Sequence, residues 1–184
     1  MERNPRASGG PPEPGVAMKR LVAASLLGAL LLAGLFPLYA LEIRALREGR
    51  TVWLHTVRPG FRFALGFTHS VEHCPVWDYL RVDEQYRMVL YKTAFWSSRT
   101  GLPYAAFGDE VFAVEGDHFA ISNMHRVIPG LQQWVSRQYG NTLLLGDTRR
   151  VDLAGLAGDT LLSIAVTRMP LWSYVTKKLD LTFT

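Results

Sequence analysis

Residues 61–83 read FRFALGFTHSVEHCPVWDYLRVD, and the period of this stretch decides the fold class. Phe61, Phe63, Leu65 and Phe67 alternate with Arg62, Ala64, Gly66 and Thr68. Successive side chains of a strand point to opposite faces, so the alternation predicts a half-buried strand. Val76, Leu80 and Val82 then share one face of a second strand, with Trp77, Tyr79 and Arg81 on the other. A hairpin of residues 61–69 and 76–83 would centre its turn near residue 73. His69 would then sit beside Val76 or Trp77, with Asp78 on the diagonal and within side-chain reach.

Downstream, Asp83-Glu84-Gln85 turns the chain into Tyr86–Phe95, a run rich in β-formers. Val111–Val114 and His118–Ile121 flank Glu115-Gly116-Asp117, which has the composition of a hairpin turn. Thr142–Leu145, Val151–Leu153 and Leu161–Thr167 are further strands, punctuated by Gly146-Asp147 and Gly158-Asp159. Pro129-Gly130 opens Leu131–Arg137, expected as one short helix. The tail from Pro170, PLWSYVTKKLDLTFT, is expected as an edge strand; contact of its aromatics with a membrane surface is the alternative. Short strands at this spacing predict an all-β domain over residues 51–184, an antiparallel sandwich or partly open barrel.

Upstream, Leu21–Leu41 carries no charge and follows Lys19-Arg20. As one helix at about 1.5 Å per residue it would span roughly 31 Å, the thickness of a bilayer core. The basic pair holds its start in the cytoplasm, so the β-domain is expected outside. Two outcomes stay open for residues 19–41: a transmembrane anchor in the inner membrane, or a signal peptide cut after Ala40 that releases the domain to the periplasm. Residues 42–50 are expected as a charged connector. Residues 1–18, rich in Pro and Gly, are expected to be disordered, and translation beginning at Met18 would omit nearly all of them.

Of the chain's formal charge of +4, half comes from residues before Leu21, where Arg3, Arg6, Lys19 and Arg20 face only Glu2 and Glu13. The remainder is near neutral and its cations are scattered, which argues against nucleic-acid binding. Apolar residues make up 48% of the chain, enough to exclude a disordered polymer. The single cysteine, Cys74, excludes a disulfide framework and a multi-thiolate zinc site.

Residues 69–73, His-Ser-Val-Glu-His, match the inverted zinc-protease pattern formally. That chemistry needs a helix, so that two histidines four apart share a face. A strand running into His69 and a proline at 75 leave no room for one. Instead, His69, Glu72 and Asp78 are expected together at one end of the core. Three readings of them stand side by side: a structural His69–Asp78 hydrogen bond, a pocket for a small polar solute or metal ion, and acid–base chemistry with His69 as base and Asp78 orienting it. The loop after Phe95, Trp96–Pro103, is the other distinctive segment. The candidate ligand-binding set is His69, Ser70, Glu72, Asp78, Gly101 and Pro103. No G-x-S-x-G elbow, P-loop or dinucleotide fingerprint is present, and no catalytic residue, resident metal or cofactor is assigned.

His69-Ser70-Val71-Glu72, then Pro75-Val76, an acidic residue followed by Tyr79, and Gly101-Leu102-Pro103 together resemble the bacterial family called domain of unknown function 1850. Ala157-Gly158 before an apolar strand ending at Arg168 also fits, and the resemblance spans roughly Val52 to Arg168. The family usually has Glu where Asp78 stands, and His73 and Cys74 are not part of its motif. The resemblance implies a small exported β-domain of no established activity. Family genes often sit beside tripartite ATP-independent periplasmic transporters, which implies an accessory role in solute uptake at the inner membrane.

Overall fold

The computed structural model describes residues 14–97, 103, 105–146 and 148–182. Twelve strands and three α-helices occur among them. After helix α1 (Pro14–Gly34) come β1 (Pro37–Ala45), β2 (Arg50–Thr56), β3 (Arg62–Thr68), β4 (Pro75–Val82) and β5 (Met88–Phe95). Then follow β6 (Val111–Glu115), β7 (His118–Ser122), β8 (Arg126–Ile128), β9 (Leu131–Val135), β10 (Thr142–Leu145) and β11 (Arg149–Asp152). The chain closes with α2 (Leu153–Ala157), the long β12 (Thr160–Pro170) and α3 (Leu171–Asp180).

The strands form two antiparallel sheets. The smaller has the order β2-β1-β12-β9, and the larger runs β11-β10-β3-β4-β5-β7-β6, with β8 also paired to β5. Neither closes on itself among the described residues. Leu41, Ile43, Leu162 and Ile164 of the smaller sheet share one buried cluster with Phe63, Leu65, Leu80 and Leu143 of the larger. The sheets therefore pack face to face as an all-β sandwich, as the alternation predicts. A second cluster of Val76, Phe95, Ile121 and Met124 extends the larger sheet beyond the smaller one.

The hairpin at residues 61–83 forms as β3 and β4, but its register differs from the expected one. Thr68 faces Pro75 and Leu65 faces Asp78, so the turn centres between residues 71 and 72. The His69 amide closes the loop by donating to the Cys74 carbonyl at 2.8 Å. His73 adopts positive φ, 51°, which gives the loop its tight return without a helix. Residues 70–72 form turns, so the histidines of the formal zinc pattern do not share a helical face.

The apolar run Leu21–Leu41 is divided. Helix α1 ends at Gly34, and residues from Pro37 onward belong to β1. Proline disfavours the helical region for the residue before it and supplies no amide hydrogen, so a helix stops there. The expected boundary at residue 41 falls inside β1, and Glu42–Ala45 is strand rather than connector. Ala40 is fully buried between Thr167 and Thr56 of the flanking strands, so a cut after it would divide a central strand. Among the described residues no helix is long and apolar enough to cross a membrane. The uncharged helical part, Leu21–Gly34, would span only roughly 21 Å at about 1.5 Å per residue.

Two further segments depart from expectation. Leu131–Val135 is strand β9, not helix, and pairs with β12 from Thr160 to Ile164. The tail forms helix α3 rather than an edge strand. That helix covers the outer face of the smaller sheet, where Tyr174 and Leu181 pack on Ala40, Leu54 and Met169. Beneath it Glu42, 4% exposed, accepts from Lys177 Nζ at 2.6 Å and from the Thr51 hydroxyl at 2.7 Å.

Candidate functional site

Strand alternation puts Val76, Asp78, Leu80 and Val82 on the inner face of the larger sheet. Three of these are apolar and buried; Asp78 is the exception. It faces Leu65 across β3 and Thr93 across β5, and the same row continues to Leu143 and Ile121. A carboxyl group thus stands in a row of hydrocarbon. Its hydrogen-bond donor is the Thr93 hydroxyl, at 2.6 Å from Oδ1. Burial pushes the Asp78 carboxyl above its ordinary pKa, and the Thr93 bond opposes this only in part.

The smaller sheet presents a matching exception. Gln133 of β9 lies opposite Leu162 and shares a face with Leu131 and Val135, all pairing with the buried Thr160, Leu162 and Ile164 of β12. Asp78 and Gln133 both line one cavity of about 540 Å³, where edge strand β9 meets the turn end of the β3–β4 hairpin. The other polar lining residues are Thr68, His69, Ser70, Gln132, Tyr139 and Asn141; Leu65, Phe67, Leu131 and Trp134 form its apolar walls. Among the described residues no lysine or arginine lines it. Asn141 is rigidly placed, since its buried Oδ1 accepts from the Ser136 amide at 3.0 Å.

His69 is held by its loop rather than by Asp78. Its Nδ1 accepts from the Glu72 amide at 3.1 Å, and its carbonyl accepts from the His73 amide at 2.9 Å. An acceptor at Nδ1 places the proton of a neutral imidazole on Nε2, the nitrogen left for the cavity. The expected His69–Asp78 hydrogen bond does not form, because the register sets Asp78 opposite Leu65 and Thr93. Glu72 is not among the cavity residues: its Oε2 accepts from the Ser97 hydroxyl at 2.9 Å, tying the hairpin loop to the end of β5. The structure thus brings together His69, Ser70 and Asp78 but not Glu72. Pro103 does not line the cavity, and Gly101 lies outside the described residues. Among the described residues no group of three or more His, Cys, Asp and Glu side chains could hold a metal ion.

Sequence reading missed Gln133, Trp134, Tyr139 and Asn141. The signal for the first was present in LQQWV: read with period two, it puts a glutamine at a core position between Leu131 and Val135.

Residues 63–153 match the family model described as Domain of unknown function (DUF1850). The chain belongs to this family. Every residue lining the cavity, from Leu65 to Asn141, falls inside the matched segment, so the cavity is built wholly from the DUF1850 portion. Strands β1, β2 and β12 and helices α1 and α3 lie outside it. No curated protein and no solved structure matches this DUF1850 chain.

Proposed function

We propose that this protein is a binding domain for a small polar solute, held at the extracytoplasmic face of the inner membrane. One observation carries the binding reading: the inner face of each sheet contributes a polar side chain, Asp78 and Gln133, to the same cavity. A hydrogen-bonding group at a core position costs stability unless it has partners, and a polar ligand supplies them. The lining also defines the ligand class. Among the described lining residues, one carboxyl, one imidazole, three amides and three hydroxyls offer both donors and acceptors, and none is a fixed cation. A carboxylate solute would meet Asp78 with no counter-charge from the described lining residues. The site favours a neutral polyol or amide, or an amine whose ammonium faces Asp78.

Thermal-shift screening of the full chain in detergent tests this with polyols, amino amides, simple amines and organic acids as separate classes. A true ligand at about 100 times its dissociation constant stabilises the fold by roughly 2.7 kcal/mol. The effect is expected for neutral or amine-bearing solutes and lost in Gln133→Leu. Stabilisation by organic acids alone, or equally in Gln133→Leu, would refute the reading.

A second reading, compatible with the first, is that the domain serves a tripartite ATP-independent periplasmic transporter. The exposed apolar helix α1 supports attachment to the membrane, and family resemblance supports the transporter. Its short uncharged stretch would require Lys19 and Arg20 to snorkel toward the headgroups. Affinity capture of the full chain from membranes should recover transporter subunits. Recovery of none, with normal solute uptake in a deletion strain, would refute the association.

A further inference from the structure

We propose that the outer face of α3 lies in the interface of an anionic bilayer, as a second membrane contact beside α1; this rests on the membrane attachment proposed above. The helix is inverted relative to an ordinary surface helix. Its two lysines point at the protein: Lys177 Nζ donates to Glu42, and Lys178 Nζ donates to the Leu54 carbonyl at 2.8 Å. Tyr174 and Leu181 share that inward face. On the opposite side Leu171, Trp172, Val175 and Leu179 are exposed, Leu179 by 52%. A stripe of this kind facing water has no stabilising partner within the domain.

The stripe is continuous with α1. Gly34 packs directly on the Trp172 indole, and the Leu171 amide donates to the Phe36 carbonyl at 3.0 Å. Leu35 and Phe36 between them are themselves exposed. Along α1, Leu21, Val22, Leu26, Leu27, Leu30 and Leu31 are exposed in succession, so its apolar surface runs around the helix rather than along one face. A protein groove or a second copy would cover one stripe of it; a lipid phase surrounds it. Charge points the same way. The last turn of α3 walls a cavity of about 270 Å³ lined by Arg44, Arg50 and Lys177, with Asp180 the acidic residue there. These cations flank the helix on the side away from the stripe, and with Lys177 paired to Glu42 it is Arg44 and Arg50 that are left for anionic headgroups. Trp172, at the junction of the helices, is the residue type that favours the interface.

The test places an environment-sensitive fluorophore on single cysteines in full-length Cys74→Ala protein. The positions are Val175→Cys on α3, Leu27→Cys on α1 and Asp117→Cys on the β6–β7 turn. Protein is reconstituted in phosphatidylcholine vesicles with and without phosphatidylglycerol. The Val175 and Leu27 labels should shift to the blue and be quenched by brominated lipid, while the Asp117 label stays aqueous. The Val175 shift should be larger in the anionic vesicles. An aqueous Val175 label beside a lipid-exposed Leu27 label overturns the α3 contact and leaves the α1 attachment standing. Aqueous labels at both overturn the attachment and the contact together. Concentration-dependent shielding of Val175 without lipid would identify a second copy as the occupant, and equal shifts in both vesicle types would overturn the anionic assignment.

Discussion

Replacing Asp78 and Thr93 singly and together isolates the feature on which the site depends. The Thr93 hydroxyl donates to Asp78 Oδ1 at 2.6 Å, and Thr93 is 7% exposed. A hydrogen bond to a charged group contributes about 1.5–3 kcal/mol, against about 1 kcal/mol for a neutral pair. Water in the cavity recovers part of the loss, so Thr93→Val should cost about 1.5 kcal/mol at neutral pH. In the Asp78→Asn background the same change should cost about 0.5 kcal/mol. The coupling energy is then about 1 kcal/mol, well outside the error of a double-mutant cycle. The pH dependence gives an independent reading. The folded state raises the Asp78 pKa above its ordinary 3.8, so the folded protein binds this proton more tightly than the unfolded chain. Stability from this group is fully present below the ordinary value and is lost as pH rises through the folded value. Asp78→Asn should therefore gain on the native chain as pH rises, by about 1.4 kcal/mol for each unit of elevation, and converge with it in acid. Urea unfolding of the full chain in nonionic detergent, across pH, measures both quantities. A coupling indistinguishable from zero, or an Asp78→Asn deficit that does not change with pH, would refute the placement of this carboxyl.

Four further outcomes follow from other contacts. Lys177→Met leaves the buried Glu42 with Thr51 as its neutral donor and should cost about 3 kcal/mol by thermal unfolding. Burial alone would raise the Glu42 carboxyl, but its bonds to Lys177 and Thr51, with Arg44 nearby, hold it below its ordinary 4.5. Its contribution is thus present above that value and lost as pH falls through the folded one, and Glu42→Gln should flatten the acid limb of the stability profile. A Cβ at Gly66 would come within 2.6 Å of the Trp77 ring, over which Arg150 also sits, so Gly66→Ala should cost about 1–3 kcal/mol by urea unfolding and far less in a Trp77→Ala background. His69→Ala removes the acceptor for the Glu72 amide; it should cost about 1 kcal/mol in denaturant titration and keep the fold, while calorimetric binding of the screened solute is lost.

The larger sheet was legible because a strand exposed on one side writes its two faces into the sequence. Residues 61–67 and 76–82 show this, and β10 falls on Thr142–Leu145 as expected. What escaped has physical reasons. Leu38–Leu41 is a short apolar run, and a buried central strand carries no alternation to separate it from a helix. Only Pro37 marked the break. In the tail, Trp172, Tyr174 and Thr176 alternate like a strand, yet the helix wins because Lys177 and Lys178 find Glu42 and Leu54 across the sheet. Such partners lie more than a hundred residues away and leave no local trace. The site divides similarly. His69 and Asp78 were found because they lie on one hairpin. Their direct bond was mistaken because a turn centre displaced by one to two residues changes every facing pair. Gln133 and Asn141 reach the cavity from another strand and its following loop, and only the sandwich packing joins them to Asp78.

Side-chain resonances of the cavity offer the most direct view of the central claim. Full-length protein labelled with nitrogen-15 in detergent micelles can be titrated with a neutral polyol or amine that raises its melting temperature. The His69 imidazole and the Gln133 and Asn141 side-chain amides are expected to shift together and saturate with one dissociation constant, while organic acids leave them unmoved. Saturable shifts confined to residues elsewhere on the domain, with these three signals still, would contradict a solute site between the sheets.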